Sequence, residues 1–215
     1  ILRFAKDLNE DLITLIQALF FARWCNKQET LDDISTNILS DPKKLRGLIQ
    51  SNESWCNATA YPVERIYWGE KEYSRADAAA LLFFKIKEPL AKMIQHADGN
   101  IIEATNSVNN KFKMSNDFPI FMAITDIAWF RPDIINPASP VPTGIGAVAY
   151  LDRLQEYLCM DNHELTCNKM IELQKEHWPD AKREFYPIDI EYLSCECRKY
   201  HSYLNKTKVF EGKNI

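Results

Sequence analysis

Apolar residues recur at helical spacing from the start, at Leu8, Leu12, Leu15, Ile16, Leu19 and Phe20, so the first twenty-five residues read as an amphipathic helix. Start signals then follow at intervals. Asp41-Pro42 sets a capping acid before a proline in the first turn, and Ser74-x-x-Asp77 opens the Ala-rich run into Leu81, Leu82 and Phe83. Proline costs about 3 kcal/mol in a helix interior. The pattern therefore predicts that one helix ends at Pro89 and that KEPLAKMIQHA begins the next. Asn100, Asp117, Asn162 and Pro187 mark further starts. Between about 52 and 73 the periodicity lapses into aromatics and turns (Trp55, Tyr61-Pro62, Tyr67, Trp68-Gly69), an irregular connection with room for a short hairpin. Strands are too few for a sheet-based fold. The predicted class is all-α: a single compact multi-helix domain over 1–215 with roughly eight to ten helices.

One stretch departs from plain helical patterning. From Phe118 to Leu154 the chain reads FPIFMAITDIAWFRPDIINPASPVPTGIGAVAYLDRL: an apolar helix-like run, a loop, and a Gly-x-Gly turn opening a second helix. Pro132, Pro137, Pro140 and Pro142 restrict that loop in the unfolded chain, so fixing it loses less entropy. Gly144 and Gly146 fall where the backbone turns sharply, and the amides of AVAYLDRL after them offer N–H groups and the positive end of a helix dipole to an anion. The plainer alternative is an ordinary helix-loop-helix connection.

Composition narrows the class. At 215 residues and 46% apolar content the chain can bury a sizeable core. No run approaches ~18 consecutive apolar residues, so no membrane span is expected. The opening ILRFAKDLNE has no basic stretch followed by an apolar core, so no secretory signal is expected there. Cys25, Cys56, Cys159, Cys167, Cys195 and Cys197 form no C-x-x-C pair, which points to reduced structural thiols and to neither metal nor cofactor. The two N-x-[ST] matches, at Asn57 and Asn205, carry little weight without a secretory signal. A net charge of −4 argues against a broad basic face, although Lys182, Arg183, Arg198, Lys199, Lys206 and Lys208 gather in the C-terminal quarter.

There is no G-x-x-x-x-G-K-[ST], G-x-S-x-G, H-E-x-x-H or dinucleotide fingerprint, so any chemistry must come from carboxylates, cations and helix ends. Three groups qualify. Arg23 and Asn26 lie three apart and would share a helical face, where an arginine can clamp phosphate bidentately. Asp126, inside FMAITDIAWF, is either a surface residue, a capping acid, or a buried acid whose pKa is raised by desolvation, which suits a general base. In DIEYLSCECRKYHSYL, Asp189, Tyr192, Glu196, Lys199 and Tyr203 fall on one side, with Glu191, Cys195 and Arg198 on the adjoining strip. Glu196 and Lys199 can equally form a plain surface ion pair.

These segments, in this order, resemble the helical family of phage thymine-hypermodification proteins: the amino acid:DNA transferases, or α-glutamyl/putrescinyl thymine pyrophosphorylases, and the related helical domain of 5-hydroxymethyluracil DNA kinases. The resemblance lies in R-x-x-N (Arg23, Asn26), a Phe121…Ala123…Asp126 helix, the Gly144-x-Gly146 turn and a C-terminal Glu191…Cys195-Glu196-x-x-Lys199-Tyr200, spread over most of the chain. It implies a fold distantly like helix-hairpin-helix DNA glycosylases, although the corresponding SNDFPIF stretch lacks the glycine of such hairpins. It also implies a reaction in which an amine, an amino acid or a polyamine, displaces pyrophosphate from 5-pyrophosphoryloxymethyl-uracil in DNA. Asp126 or Glu196 would be the base, and Arg23 and Lys199 the cations that help pyrophosphate leave. Asn26, Gly144, Gly146, Glu191 and Tyr200 would complete the substrate and phosphate contacts, with Trp55, Tyr61, Trp68 and Trp129 available to stack a flipped base. The setting implied is the cytoplasm of a phage-infected bacterial host. The alternatives are a non-catalytic helical DNA-binding module, a glycosylase acting on a modified base, and an unrelated helical protein.

Overall fold

The computed structural model describes residues 5–6, 11–57, 65–144 and 146–207; Leu8, Tyr61, Pro62 and Lys208 lie outside them. The described residues are mostly helical, as an all-α chain requires, and group into two compact units, Ile1–Asn136 and Pro137–Ile215.

In the first unit, helix α1 (Leu12–Cys25) begins where Asp11 accepts the Ile13 amide at 3.1 Å. It ends at Asn26, whose left-handed backbone (φ 45°) lets its N–H donate to the Ala22 carbonyl. It is not the amphipathic helix that the spacing predicts. Every residue from Leu15 to Ala22 is buried, together with Trp24 and Cys25. A helix apolar all round belongs in a core. Its one buried polar interruption, Gln17, donates to the Leu39 carbonyl at 2.8 Å. Short helices α2 (Gln28–Asp32) and α3 (Thr36–Leu39) lead to α4 (Pro42–Ser51), capped by Asp41 as expected.

The aromatic-rich connection contains a two-stranded antiparallel hairpin, β1 (Ile66–Trp68) and β2 (Lys71–Tyr73), turned at Gly69 with φ 65°. Ser74 then accepts the Asp77 amide, opening a single helical turn α5 (Arg75–Asp77), a π-helical turn over Ala78–Leu82, and α6 (Phe83–Gln95). Arg75 at the head of this run donates to the Trp24 carbonyl at 2.7 Å and to the Asn57 carbonyl at 3.3 Å.

The break predicted at Pro89 does not occur, because α6 runs straight through it. Pro89 and Lys85, whose carbonyl loses its partner, are both exposed, so water can satisfy that oxygen. The opposite face buries Phe83, Ile86, Leu90, Ala91 and Ile94. At ~1.5–3 kcal/mol for each large side chain, that burial outweighs the ~3 kcal/mol cost of proline.

Helices α7 (Ile101–Phe112) and α8 (Phe118–Phe130) complete the unit. Asn100 caps α7 by accepting the Ile102 and Glu103 amides, and Lys113 ends it at φ 54°. Phe20, Trp24, Phe83 and Phe112 meet at the centre, with Trp24 and Phe83 edge to face at 4.9 Å. Such pairs contribute about 0.5–1.5 kcal/mol beyond area burial.

The second unit is a three-helix assembly of α9 (Val148–Leu158), α10 (His163–His177) and α11 (Pro187–Leu204). Its core is Ala147, Leu151, Cys167 and Ile190, flanked by Leu154, Met170, Ile171, Phe185 and Cys195. Asn162 caps α10 through the Leu165 amide at 2.9 Å. Asp189 closes the first turn of α11 by accepting the Tyr186 amide at 2.8 Å. Among the described residues no helix is long and apolar enough to cross a membrane.

Candidate functional site

Two groups of polar side chains stand out, one in each unit. In the first unit, α1 and α8 pack together, and this brings Arg23 against Asp126 from 103 positions away. Arg23 Nε and Nη2 donate to Asp126 Oδ2 and Oδ1, both at 2.6 Å, a fork-to-fork pair. The carboxylate is 4% exposed, among the buried Ile124, Thr125, Ile127 and Ala128 of α8. Burial pushes the Asp126 carboxyl above its ordinary value, and the Arg23 guanidinium pulls against that rise. Of the roles open to Asp126, the buried acid is the one observed.

Asn26 departs from the expected shared face. It is the left-handed C-cap of α1 and not a residue within it, a conformation that Asn tolerates better than most side chains. The stacking surface expected from Trp55 and Trp68 is also spent. Trp55 is buried, with the Arg75 guanidinium 5.9 Å from its ring, and Trp68 packs edge-on against Phe112 at 6.1 Å.

In the second unit the Pro/Gly loop is tied down by three contacts. The Gly144 amide donates to Glu191 Oε1 at 3.2 Å. Glu191 is 3% exposed; burial pushes its carboxyl up, and the Gly144 N–H opposes that. An amide expected to meet phosphate thus meets a carboxylate, which would repel phosphate. The Ala147 and Val148 amides donate back to the Gly144 carbonyl at 2.9 and 3.2 Å, so they too are engaged. Arg198 donates to the Gly146 carbonyl at 2.6 Å. A side chain at Gly146 would begin 2.6 Å from the Cys195 sulfur, so this glycine serves the close approach of loop and helix α11.

The third contact had no signal in the sequence, because its members lie on separate segments. His163, the first residue of α10, has Nδ1 3.1 Å from Thr143 Oγ1 and Nε2 2.8 Å from Asp152 Oδ1. One imidazole therefore links the loop to α9 and α10.

Glu196 and Lys199 form the plain surface pair and not an acid and a cation facing a pocket. Lys199 Nζ donates to Glu196 Oε1 at 2.5 Å with both side chains largely solvated. Hydrogen bonding to Glu196 raises the Lys199 pKa. Tyr200 is 61% exposed. Of the other C-terminal cations, Arg183 pairs with Asp189 at 2.7 Å, and Arg198 donates to the Gly146 carbonyl while keeping its charge. The six cysteines are free thiols. Among the described residues no group of three or more His, Cys, Asp or Glu side chains is arranged to hold a metal ion.

No protein-family model matches this chain, and no curated protein or solved structure matches it either.

Proposed function

We propose that this protein is a DNA base-hypermodification transferase, in which an amine displaces pyrophosphate from 5-pyrophosphoryloxymethyl-uracil. The observation that carries the reading is the Arg23–Asp126 pair: two of the segments that carry the resemblance, far apart in sequence, meet at a part-buried cation and a buried carboxylate. In this reading the guanidinium keeps the acid ionised until a polyphosphate arrives. Arg23 then turns to the pyrophosphate oxygens, which it suits bidentately, and frees Asp126. The amine nitrogen attacks the exocyclic methylene carbon, and the carbon–oxygen bond breaks. Its electron pair leaves with pyrophosphate, and the surplus amine proton passes to Asp126, whose affinity for it burial has raised. Glu196 and Lys199 satisfy each other and take no chemical step here.

A second reading is favoured by one fact. Both Asp126 oxygens are already engaged, as in a structural ion pair within a non-catalytic helical DNA-binding module. One experiment separates the two. The protein is incubated with pyrophosphorylated hydroxymethyluracil DNA and a panel of amino acids and polyamines, and the nucleosides are analysed by mass spectrometry. The transferase reading expects an amine-adducted thymidine from the wild type and none from Asp126→Asn at unchanged DNA affinity. Unmodified nucleosides across the whole panel, with DNA still bound, would leave the binding module.

A further inference from the structure

A cavity of about 330 Å³ opens among α9, α10, α11 and the loop after α10, all within the second unit. Its walls are Leu154 from α9, Met170 from α10, and the pair Trp178 and Phe185, which meet edge to face at 5.4 Å. Gln174 fixes that wall: it donates to the Arg183 carbonyl at 2.8 Å and accepts the Phe185 amide at 2.6 Å, so the aromatic face is held by the backbone. Ser194 also lines the cavity. It is 2% exposed, and its hydroxyl makes no hydrogen bond among the described residues. Ser194 thus has a hydrogen bond to offer a ligand in an otherwise mostly apolar wall.

We propose that this cavity is a binding site for a small, flat, uncharged aromatic molecule of two fused rings carrying one hydrogen-bonding group for Ser194. Size sets the ring count, because an apolar cavity of ~150 Å³ accepts one benzene ring and this one has about twice that volume. Charge sets the class. No Lys, Arg, Asp or Glu lines the cavity, and its one imidazole, His177, is solvent-exposed, so a carboxylate, phosphate or ammonium seated beside Ser194 would lose hydration without a buried charge to compensate it. The site thus excludes both the anionic and the cationic reactants of the proposed transfer, and it stands whether or not that reading holds.

The test uses the full chain and 2-naphthol as probe at pH 8, with phenol and 2-naphthoate for comparison, by titration calorimetry. The expected result is 2-naphthol binding about tenfold tighter than phenol, from the extra ring buried, with 2-naphthoate at least tenfold weaker than 2-naphthol. Ser194→Ala weakens 2-naphthol about fivefold and leaves naphthalene unchanged by NMR line broadening. Ser194→Leu, which fills the cavity, removes binding of both. Backbone amide shifts on adding 2-naphthol fall on α9, α10, α11 and residues 178–186. Shifts scattered elsewhere, equal affinity for 2-naphthoate, or undiminished binding by a folded Ser194→Leu would overturn the proposal. The shift map on the wild type decides the matter should that variant fail to fold.

Discussion

Replacing Gly146 by alanine isolates the close approach between the Pro/Gly loop and α11. The new methyl carbon would begin 2.6 Å from Cys195 Sγ, whereas ordinary contact starts at 3.4 Å. Cys195 lies within α11, where χ1 near +60° is disfavoured by the preceding turn, so the sulfur has at most one other rotamer to retreat to. Overpacking of this kind costs about 1–3 kcal/mol. Gly146 does not adopt a positive φ, so alanine adds no backbone strain and recovers about 0.4–1 kcal/mol through the unfolded chain. The net expectation is a loss of about 1–2 kcal/mol.

Cys195→Ala deletes one half-buried sulfur at about 1 kcal/mol. In the double variant the nearest neighbour becomes the carbon at 3.6 Å, an ordinary contact. Gly146→Ala should then cost nothing further, a coupling of about 1–2 kcal/mol. Urea unfolding followed by far-UV circular dichroism reads the three variants. Because two units need not unfold together, hydrogen exchange of the α9 and α11 amides reports the unit that carries the change. A Gly146→Ala protein as stable as the wild type, or strictly additive losses in the double variant, would refute a steric role for this glycine.

Arg23→Ala strands Asp126 in the core and should lose about 3–5 kcal/mol at neutral pH. Its folded pKa, already raised, rises further, so the stability present below the ordinary carboxylate range is lost as pH climbs through the folded value. The deficit should therefore be larger at pH 8 than at pH 5 in parallel urea titrations. Glu191→Gln keeps an acceptor for the Gly144 amide and removes the burial penalty of the charge. It should unfold at a higher urea concentration than the wild type at pH 8, with the difference closing toward pH 4; no gain at pH 8 would show that the carboxylate is stabilised by more than Gly144. Pro89→Ala restores a ladder bond on the exposed side of α6 and should raise stability by about 1–3 kcal/mol, measured by thermal unfolding.

The sequence was most informative where signals are local. Asp41, Ser74, Asn100 and Asn162 each cap the helix assigned to them, because the side chain and the amides it accepts lie within three residues. It was least informative where burial decides. Leu12–Cys25 carries the period of an amphipathic helix, yet nothing in that period says that neighbours will cover every side. Pro89 breaks a local rule that a buried face overrides.

At the candidate site each chemical residue could be named but not its partner. Arg23 and Asp126 each carry a signal of their own, and no spacing rule pairs positions so far apart. The Gly-x-Gly spacing suits an anion, but the acid that claims the Gly144 amide sits 47 residues on. His163, with partners 20 and 11 residues away, offered no motif at all.

The π-helical turn at Ala78–Leu82 has a bearing on how this chain tolerates changes of length. Its wide ring is closed by the Phe83 amide on the Ala78 carbonyl, so it holds one residue more than an α-helix would over the same rise. Deleting one of Ala78, Ala79 or Ala80 would let the run relax into continuous α-helix, with both flanks keeping their phase. Arg75 would keep its hold on the Trp24 and Asn57 carbonyls, and the buried face of α6 would stay in place. A further alanine is a different matter: with no second wide ring to absorb it, everything before it would swing by about 100° around the axis relative to Phe83 and Ile86. The alanine run is thus a spacer with one residue to give up and none to gain.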